Sequence, residues 1–183
     1  VKVYNTRQGL NYFNVKKIIE DREGNIWIGT DVGLNLYRGE RFVLFDKRDG
    51  LSNDIVWTTL VDKSGNVWLG TNDGLTRLTF DGNTSGSSFT VTNFGITDGL
   101  RSAVVLSLFE DSRGTIWAGT GFGGVSKLEK GSSRFETHTT SEGLAGDVVY
   151  AINEDLRGNI WVGTKEGVSR IENGNGAIRN YST

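Results

Sequence analysis

Short runs of alternating apolar and polar residues follow one another along this chain, each closed by a turn rich in Gly, Asn and Asp. The stretch Val15 to Glu20 is β-rich and reads as an inner strand. Asp21-Arg22-Glu23-Gly24 is a turn: the Asp carboxylate can accept a backbone N–H, and Gly at the fourth position takes positive φ without a Cβ penalty. Asn25 to Thr30 is a second strand, with Ile26 and Ile28 on one face and Trp27 on the other. After Asp31-Val32-Gly33, the segment Leu34-Asn35-Leu36-Tyr37 alternates as a third strand. Arg38-Gly39-Glu40 turns again, Phe42 to Phe45 is an outer strand, and residues 46–51 lead back inward.

This pattern recurs. Asp-x-x-Gly-x-x-Trp-x-Gly-Thr occurs four times, beginning at Asp21, Asp62, Asp111 and Asp155. Each copy opens into Gly33-Leu34, Gly74-Leu75, Gly124-Val125 or Gly167-Val168, and a Gly-Leu pair stands twelve residues ahead of each Asp, at Gly9, Gly50, Gly99 and Gly143. The tryptophans Trp27, Trp68, Trp117 and Trp161 are 41, 49 and 44 residues apart, a period at which one repeat is one four-stranded blade of a β-propeller. The expected fold is therefore all-β, with antiparallel blades over residues 15–46, 55–94, 104–139 and 148–182 as a single propeller segment. Further inner strands are expected at Ile55–Val61, Val104–Glu110 and Val148–Glu154. Residues 1–6 read as a surplus outer strand. Propellers of four to eight blades close their ring without long edges. The surplus strand therefore points to a segment of a larger propeller, closed by further blades or by a second copy; a self-contained four-bladed ring is the alternative. The polar insert Asp81 to Ser88 is expected to be a mobile surface loop.

Composition narrows the partners. Lys and Arg total 20 against 22 Asp and Glu, the net charge is −2, and no basic run exceeds Lys16-Lys17. Nucleic acid and anionic membranes both want a concentrated positive field, so neither is an expected partner. No apolar stretch approaches the roughly 18 residues of a membrane span. There is no Cys, hence no disulfide framework and no thiolate chemistry, and no Pro or Met; a chain starting Val1-Lys2-Val3 is expected to have been cut from something longer or to have lost a leader. Asn83-Thr84-Ser85 matches a glycosylation sequon, read as a chance match.

The pattern Glu-Asp-x-x-Gly-Asn-Ile-Trp-x-Gly-Thr-x-x-Gly-Leu/Val, nearly complete over residues 20–34 and 154–168, resembles the two-component regulator propeller repeat. The resemblance covers essentially the whole chain in four in-register copies. It implies the extracytoplasmic, periplasmic sensor region of hybrid histidine-kinase regulators, many of which sense polysaccharide fragments in gut bacteria. Such members usually carry two seven-bladed propellers and an immunoglobulin-like domain; this chain resembles a piece of the sensor. Sialidase-type Asp boxes place Gly two and Trp five residues after Asp, whereas the offsets here are three and six, and quinoprotein blades use a longer spacing.

Candidate chemistry follows from where the repeats agree and where they differ. The recurrent aspartates read as hairpin caps and the tryptophans as packing between blades. Gly119 to Gly124 is glycine-dense but lies between strands, where a dinucleotide fingerprint needs a helix. The lone histidine, His138, falls on an outer strand, expected exposed and unsuited to a triad; no metal site, cofactor or catalytic set is expected. A streptogramin lyase-like activity would want a histidine near the axis. A binding site for one asymmetric ligand must instead differ between blades. The variable positions cluster at one end: Tyr12 and Phe13, Asn53 and Asp54, Arg101, and Asp147 after the Gly-Leu steps, with Asp31, Asn72, Phe122 and Lys165 from the other turns. Lys16, Trp57, Leu106 and Tyr150 share one column on the inner strands. Aromatic rings stack on the apolar face of a sugar while amides, carboxylates and cations take its hydroxyls. Ligand recognition without catalysis, with an oligosaccharide as ligand, is the expectation. A docking or oligomerisation scaffold is the alternative, and a lyase or glycosidase a third.

Overall fold

The computed structural model describes residues 3–81 and 88–181. Among these residues, sixteen strands form four antiparallel sheets, each a meander in chain order. The first sheet comprises β1 (Val15–Glu20), β2 (Ile26–Thr30), β3 (Gly33–Arg38) and β4 (Arg41–Phe45). The second comprises β5 (Val56–Val61), β6 (Val67–Thr71), β7 (Gly74–Phe80) and β8 (Phe89–Phe94). The third comprises β9 (Val105–Glu110), β10 (Ile116–Thr120), β11 (Val125–Leu128) and β12 (Glu136–His138). The fourth comprises β13 (Val149–Glu154), β14 (Ile160–Thr164), β15 (Gly167–Ile171) and β16 (Ile178–Tyr181). The later inner strands start one residue after the expected 55, 104 and 148. Residues 3–5 carry no ladder and run into a 3-10 turn at Thr6–Gln8 capped by the Asn5 side chain, which accepts the N–H of Arg7; residues 1 and 2 lie outside the described residues. Tyr4 still packs on the outer edge of the first sheet, its ring 5.0 Å from Tyr37 and 5.9 Å from Phe42. Of the insert expected as a mobile loop, residues 82–87 with the sequon lie outside the described residues, and at its two ends Asp81 N–H donates to Ser88 O at 3.2 Å.

The chain divides into two compact units, Val1–Asn93 and Phe94–Thr183, each holding two sheets and its own core. In the first unit, Trp27, Leu34, Leu36 and Phe45 of the first sheet bury against Val56, Val67, Leu69 and Leu78 of the second. In the other, Trp117 and Val125 meet Val149, Ile160, Val162 and Ile171. Full burial of each such side chain contributes about 1.5–3 kcal/mol, which the short ladders could not supply alone. Close approach depends, within each unit, on a glycine two residues after a tryptophan. A Cβ on Gly29 would stand 2.9 Å from Val56 Cγ1, and one on Gly119 would stand 2.5 Å from Val149 Cγ1. The glycine is therefore a socket for the first valine of the next inner strand.

The repeated Asp is a cap with one further duty. Asp21 accepts the N–H groups of Glu23 and Asn25 at 2.9 Å on one oxygen, and the indole N–H of Trp27 at 2.9 Å on the other. Asp62 to Trp68 at 2.8 Å, Asp111 to Trp117 at 3.0 Å and Asp155 to Trp161 at 2.9 Å repeat the bond. One carboxylate thus closes the β1–β2 type of turn and fixes the rotamer of the core ring six residues on. Burial pushes the Asp111 carboxyl up, but hydrogen bonds from Trp117 and Thr115 outweigh it and hold it below the ordinary range. Hydrogen bonds from Asn159, then Trp161, hold Asp155 well below that range. A folded carboxyl more acidic than its unfolded value of 3.8 adds stability that is complete above that value and lost as pH falls through the folded pKa. Urea midpoints measured from pH 7 to pH 2 should therefore hold level to about pH 4 and fall below it; a midpoint flat to pH 2 would contradict this.

Candidate functional site

The connection entering each sheet and the β2–β3 type of turn lie at the same end of the strands. They are stitched together there: Gly33 N–H donates to Asp54 O at 2.6 Å in the first unit, and Gly124 N–H to Asp147 O at 2.9 Å in the second. Each connection is also anchored to the sheet it enters, as where Ser52 N–H donates to Thr76 Oγ1 at 3.0 Å and Ala145 N–H to Ser169 Oγ at 2.9 Å. Thr30, Thr71, Thr120 and Thr164 brace the turns from below, each hydroxyl donating to the carbonyl of the following glycine at 2.9–3.0 Å. Variable side chains therefore project from a rigid, repeated frame.

The inner-strand column sits on an irregularity that alternation along the chain does not reveal. The ladder slips between Val15 and Lys17, Val56 and Thr58, Val105 and Ser107, and Val149 and Ala151, so Lys16, Trp57, Leu106 and Tyr150 are the bulged residues. A bulge re-aims one side chain out of the pleat.

In the first unit two of these bulges build a connected cluster. Lys16 Nζ lies 3.1 Å from Asp31 Oδ1 and 4.6 Å from the centre of the Trp57 ring. Trp57 Nε1 donates to Asn72 Oδ1 at 3.3 Å, and Asn14 Nδ2 donates to Asp31 Oδ2 at 2.5 Å. A half-buried indole, an ammonium, a carboxylate and two amides thus stand together at one end of two sheets. Beside them Tyr12 and Phe13 stack at 4.4 Å on the entering connection, with Phe13 75% exposed. Asn11 holds that connection, accepting from Thr30 Oγ1 at 3.2 Å and donating its backbone N–H to Asn35 at 3.1 Å.

Other expected site residues turn out to be committed locally. Asn53 Oδ1 accepts the N–H of Ile55 at 2.9 Å, and Asp54 Oδ1 accepts that of Lys47 at 2.8 Å. Asp147, at the equivalent position, accepts the N–H of Thr140 at 2.8 Å and its hydroxyl at 3.0 Å. Asp54 and Asp147 thus brace the 3-10 turns at Lys47–Asp49 and Thr140–Glu142, and Asn53 braces the approach to β5. In the second unit Phe122 is 78% exposed, and its loop lies against Arg101, since a Cβ on Gly123 would be 2.6 Å from the Arg101 carbonyl carbon. Arg101 pairs with Glu142 at 3.8 Å. Tyr150 and Lys165 are exposed, and nothing in the structure draws them into one cluster with Arg101. Lys16, Asp31 and Asn72 stand on the expected face, but their pairing around Trp57 depends on the bulges.

Among the described residues, no group of three or more His, Cys, Asp or Glu is placed to hold a metal ion. His138 is half-buried rather than exposed. Burial, then Lys127, pushes its pKa down. It lines a groove of about 530 Å³ in the second unit with Arg113, Lys127, Lys130, Glu172 and Asn173. The polar groups there pair among themselves, Lys127 with Glu129 and Glu136 at 3.1 Å and Arg113 with Asn173 at 3.0 Å.

Residues 8–32, 50–73 and 99–122 match the two component regulator propeller family. No curated protein sequence matches the chain. Two extracellular domains from B. thetaiotaomicron assigned to hybrid two component systems superpose over 95% of the chain, at 24% identity with TM-score 0.80 and at 20% identity with TM-score 0.79. The chain spans about a quarter of their length, 24% and 25%. Virginiamycin B lyase from Staphylococcus aureus, with Quinupristin, superposes over 92% of the chain and 55% of its own, at 12% identity and TM-score 0.67. These likenesses establish a β-propeller fold.

Proposed function

Because the chain carries two component regulator propeller repeats, we propose that it is the ligand-recognition part of an extracytoplasmic sensor and that it takes an oligosaccharide without chemical turnover. The cluster of Trp57, Lys16, Asp31 and Asn72 carries this reading. It stands where the repeats differ, on a frame where they agree, and it offers a ring edge together with donors and acceptors for hydroxyls. The frame is preorganised, so little ordering would oppose binding. Its output would lie elsewhere in the receptor, since the repeats supply recognition surfaces and no transferring group. The lone histidine is half-buried in a groove of the second unit, near Lys127, which disfavours the lyase reading.

Calorimetric titration of the chain with a panel of neutral and uronate-containing oligosaccharides tests the proposal. Binding by at least one class is expected, and Trp57→Ala should weaken it tenfold or more, about 1.4 kcal/mol or above. The variant should keep a cooperative urea transition with a loss of about 1 kcal/mol, as for a half-buried side chain, so that the weakened binding is not a folding defect. A panel with no heat and no thermal shift would sink the oligosaccharide reading and favour a protein-docking scaffold, for which the exposed rings of Phe13 and Phe122 are the specific support.

A further inference from the structure

The two units fill the space between their own sheets differently. In the first, rings close it: Trp27 lies 5.7 Å from Phe45 and 5.8 Å from Phe80, while Phe89 lies 5.4 Å from Phe45 and 5.9 Å from Phe80. Leu36, opposite Trp27 in the ladder, is buried in the same core. Repeat register gives the equivalents in the second unit. Trp117 pairs with Lys127 where Trp27 pairs with Leu36, and Val125 pairs with His138 where Leu34 pairs with Phe45. Asn173 and Gly176 stand where the first unit has Phe80 and Phe89, a register fixed by the matching bonds from Thr76 to Asn93 and from Ser169 to Asn180, both 2.8 Å. Leucine and three phenylalanines thus give way to lysine, histidine, asparagine and glycine. The groove of about 530 Å³ between the third and fourth sheets is the space they leave, and it falls within the usual size of a small-ligand pocket.

Charge sets this groove apart from a packing gap. Buried Trp117, Ile160 and Ile171 give it an apolar side. Its carboxylates are engaged: Glu172 pairs with Arg170 at 3.0 Å and with Arg179 at 2.7 Å, and Glu129 holds Lys127 at 3.1 Å together with Glu136 at 3.1 Å. Arg113 donates to Asn173 at 3.0 Å. Lys130 is the exception, with no ion-pair partner among the described residues; its Cδ lies 3.8 Å from where a Cβ on Gly114 would stand. The uncommitted charge at the groove is therefore positive. His138, kept neutral at pH 7 by burial and by Lys127, adds a ring donor without a charge.

We propose that this groove is a second binding site, besides the Trp57 cluster, and that it takes a small organic anion, its carboxylate or phosphate held by Lys130 beside Lys127 and its carbon skeleton against Ile160 and Ile171. An ammonium on a flexible stem suits a compact anionic group, and the apolar side favours an anion that carries carbon over an inorganic one.

His138 is the single histidine of the chain, so its ring Hε1 resonance reports on the groove directly. Titration with galacturonate and, separately, with glucose 6-phosphate should move that resonance saturably for at least one of them, and glucose should leave it in place. Saturation by one anion alone identifies the anionic group. Lys130→Ala should weaken binding about tenfold, the worth of one charge-assisted contact, and Lys130→Arg should restore most of it. Asn173→Phe, which puts back the ring of the first unit, should abolish the titration while the urea transition stays cooperative. A resonance unmoved by both anions, or moved equally by glucose, overturns the proposal. So does binding that Lys130→Ala or a folded Asn173→Phe leaves intact. These titrations read the second unit alone, so their failure is distinguishable from failure of the reading that rests on Trp57.

Discussion

Gly119→Ala is expected to lower the stability of the second unit by about 2–3 kcal/mol, near the top of the usual range for overpacking. The added methyl group runs into Ser107 Oγ and stands 2.5 Å from Val149 Cγ1. Val149 cannot retreat, being fully buried on the core of Trp117, and Ser107 can give way only by turning its hydroxyl to another rotamer. The cost is a shift of β13 away from β10, which also loosens the packing of Ile160 and Ile171. Gly163→Ala supplies the comparison. The chemistry and repeat position are the same, but the nearest atom is 3.4 Å away, so a change within about 0.5 kcal/mol is expected. Urea unfolding followed by tryptophan fluorescence distinguishes the two. Equal losses at both positions would mean that the glycine serves its own strand rather than the neighbouring sheet.

Asp111→Ala should cost about 4 kcal/mol, with the loss confined to the same unit. The carboxylate is fully buried and accepts the indole N–H of Trp117 at 3.0 Å and the N–H groups of Thr115 and Arg113 at 2.9 and 3.0 Å. Removing it orphans donors that water cannot easily reach, at about 1–3 kcal/mol for each buried group left unpaired. Asp111→Asn keeps one acceptor oxygen and should lose about half as much. Asp155→Ala makes the same chemical change on the sheet whose outer face is open, where water can replace the lost acceptor, so its midpoint should move less. Denaturation of the three variants side by side checks the order. If Asp155→Ala proves as damaging as Asp111→Ala, the carboxylate acts through the turn alone and the indole bond adds little.

Much of this architecture could be read from the chain, and for a local reason. Asp, Gly and Trp at offsets of three and six specify a turn and a strand within ten residues, and four copies multiply a weak signal into a secure one. Hence the strands fall within a residue of their expected starts. The stretch at residues 3–5 carries no ladder although it ends on the same kind of capped 3-10 turn that follows β4, so the local cap does not decide whether an outer strand forms. Site residues were harder to read. Tyr12, Phe13 and Phe122 lie in the connections and turns where the repeats differ and Trp57 on an inner strand, yet variability could not separate a side chain facing solvent from one bracing a turn. Asn53, Asp54 and Asp147 vary among repeats but spend their oxygens on backbone N–H groups.

Sequence alone determined the fold class, the blade pattern and the end of the strands that carries variable groups, since each rests on spacing along a few residues. Only the tertiary structure decided three further things. It placed Lys16 and Trp57 on bulges, which shift the ladder by one residue and bring Lys16 over the neighbouring sheet's indole. It tied each Asp to the tryptophan six residues on, because an indole N–H finds its acceptor only once the hairpin has closed. And it separated Gly119 from Gly163, identical in motif, because what a glycine leaves room for is set by the sheet that packs against it and not by the strand that contains it.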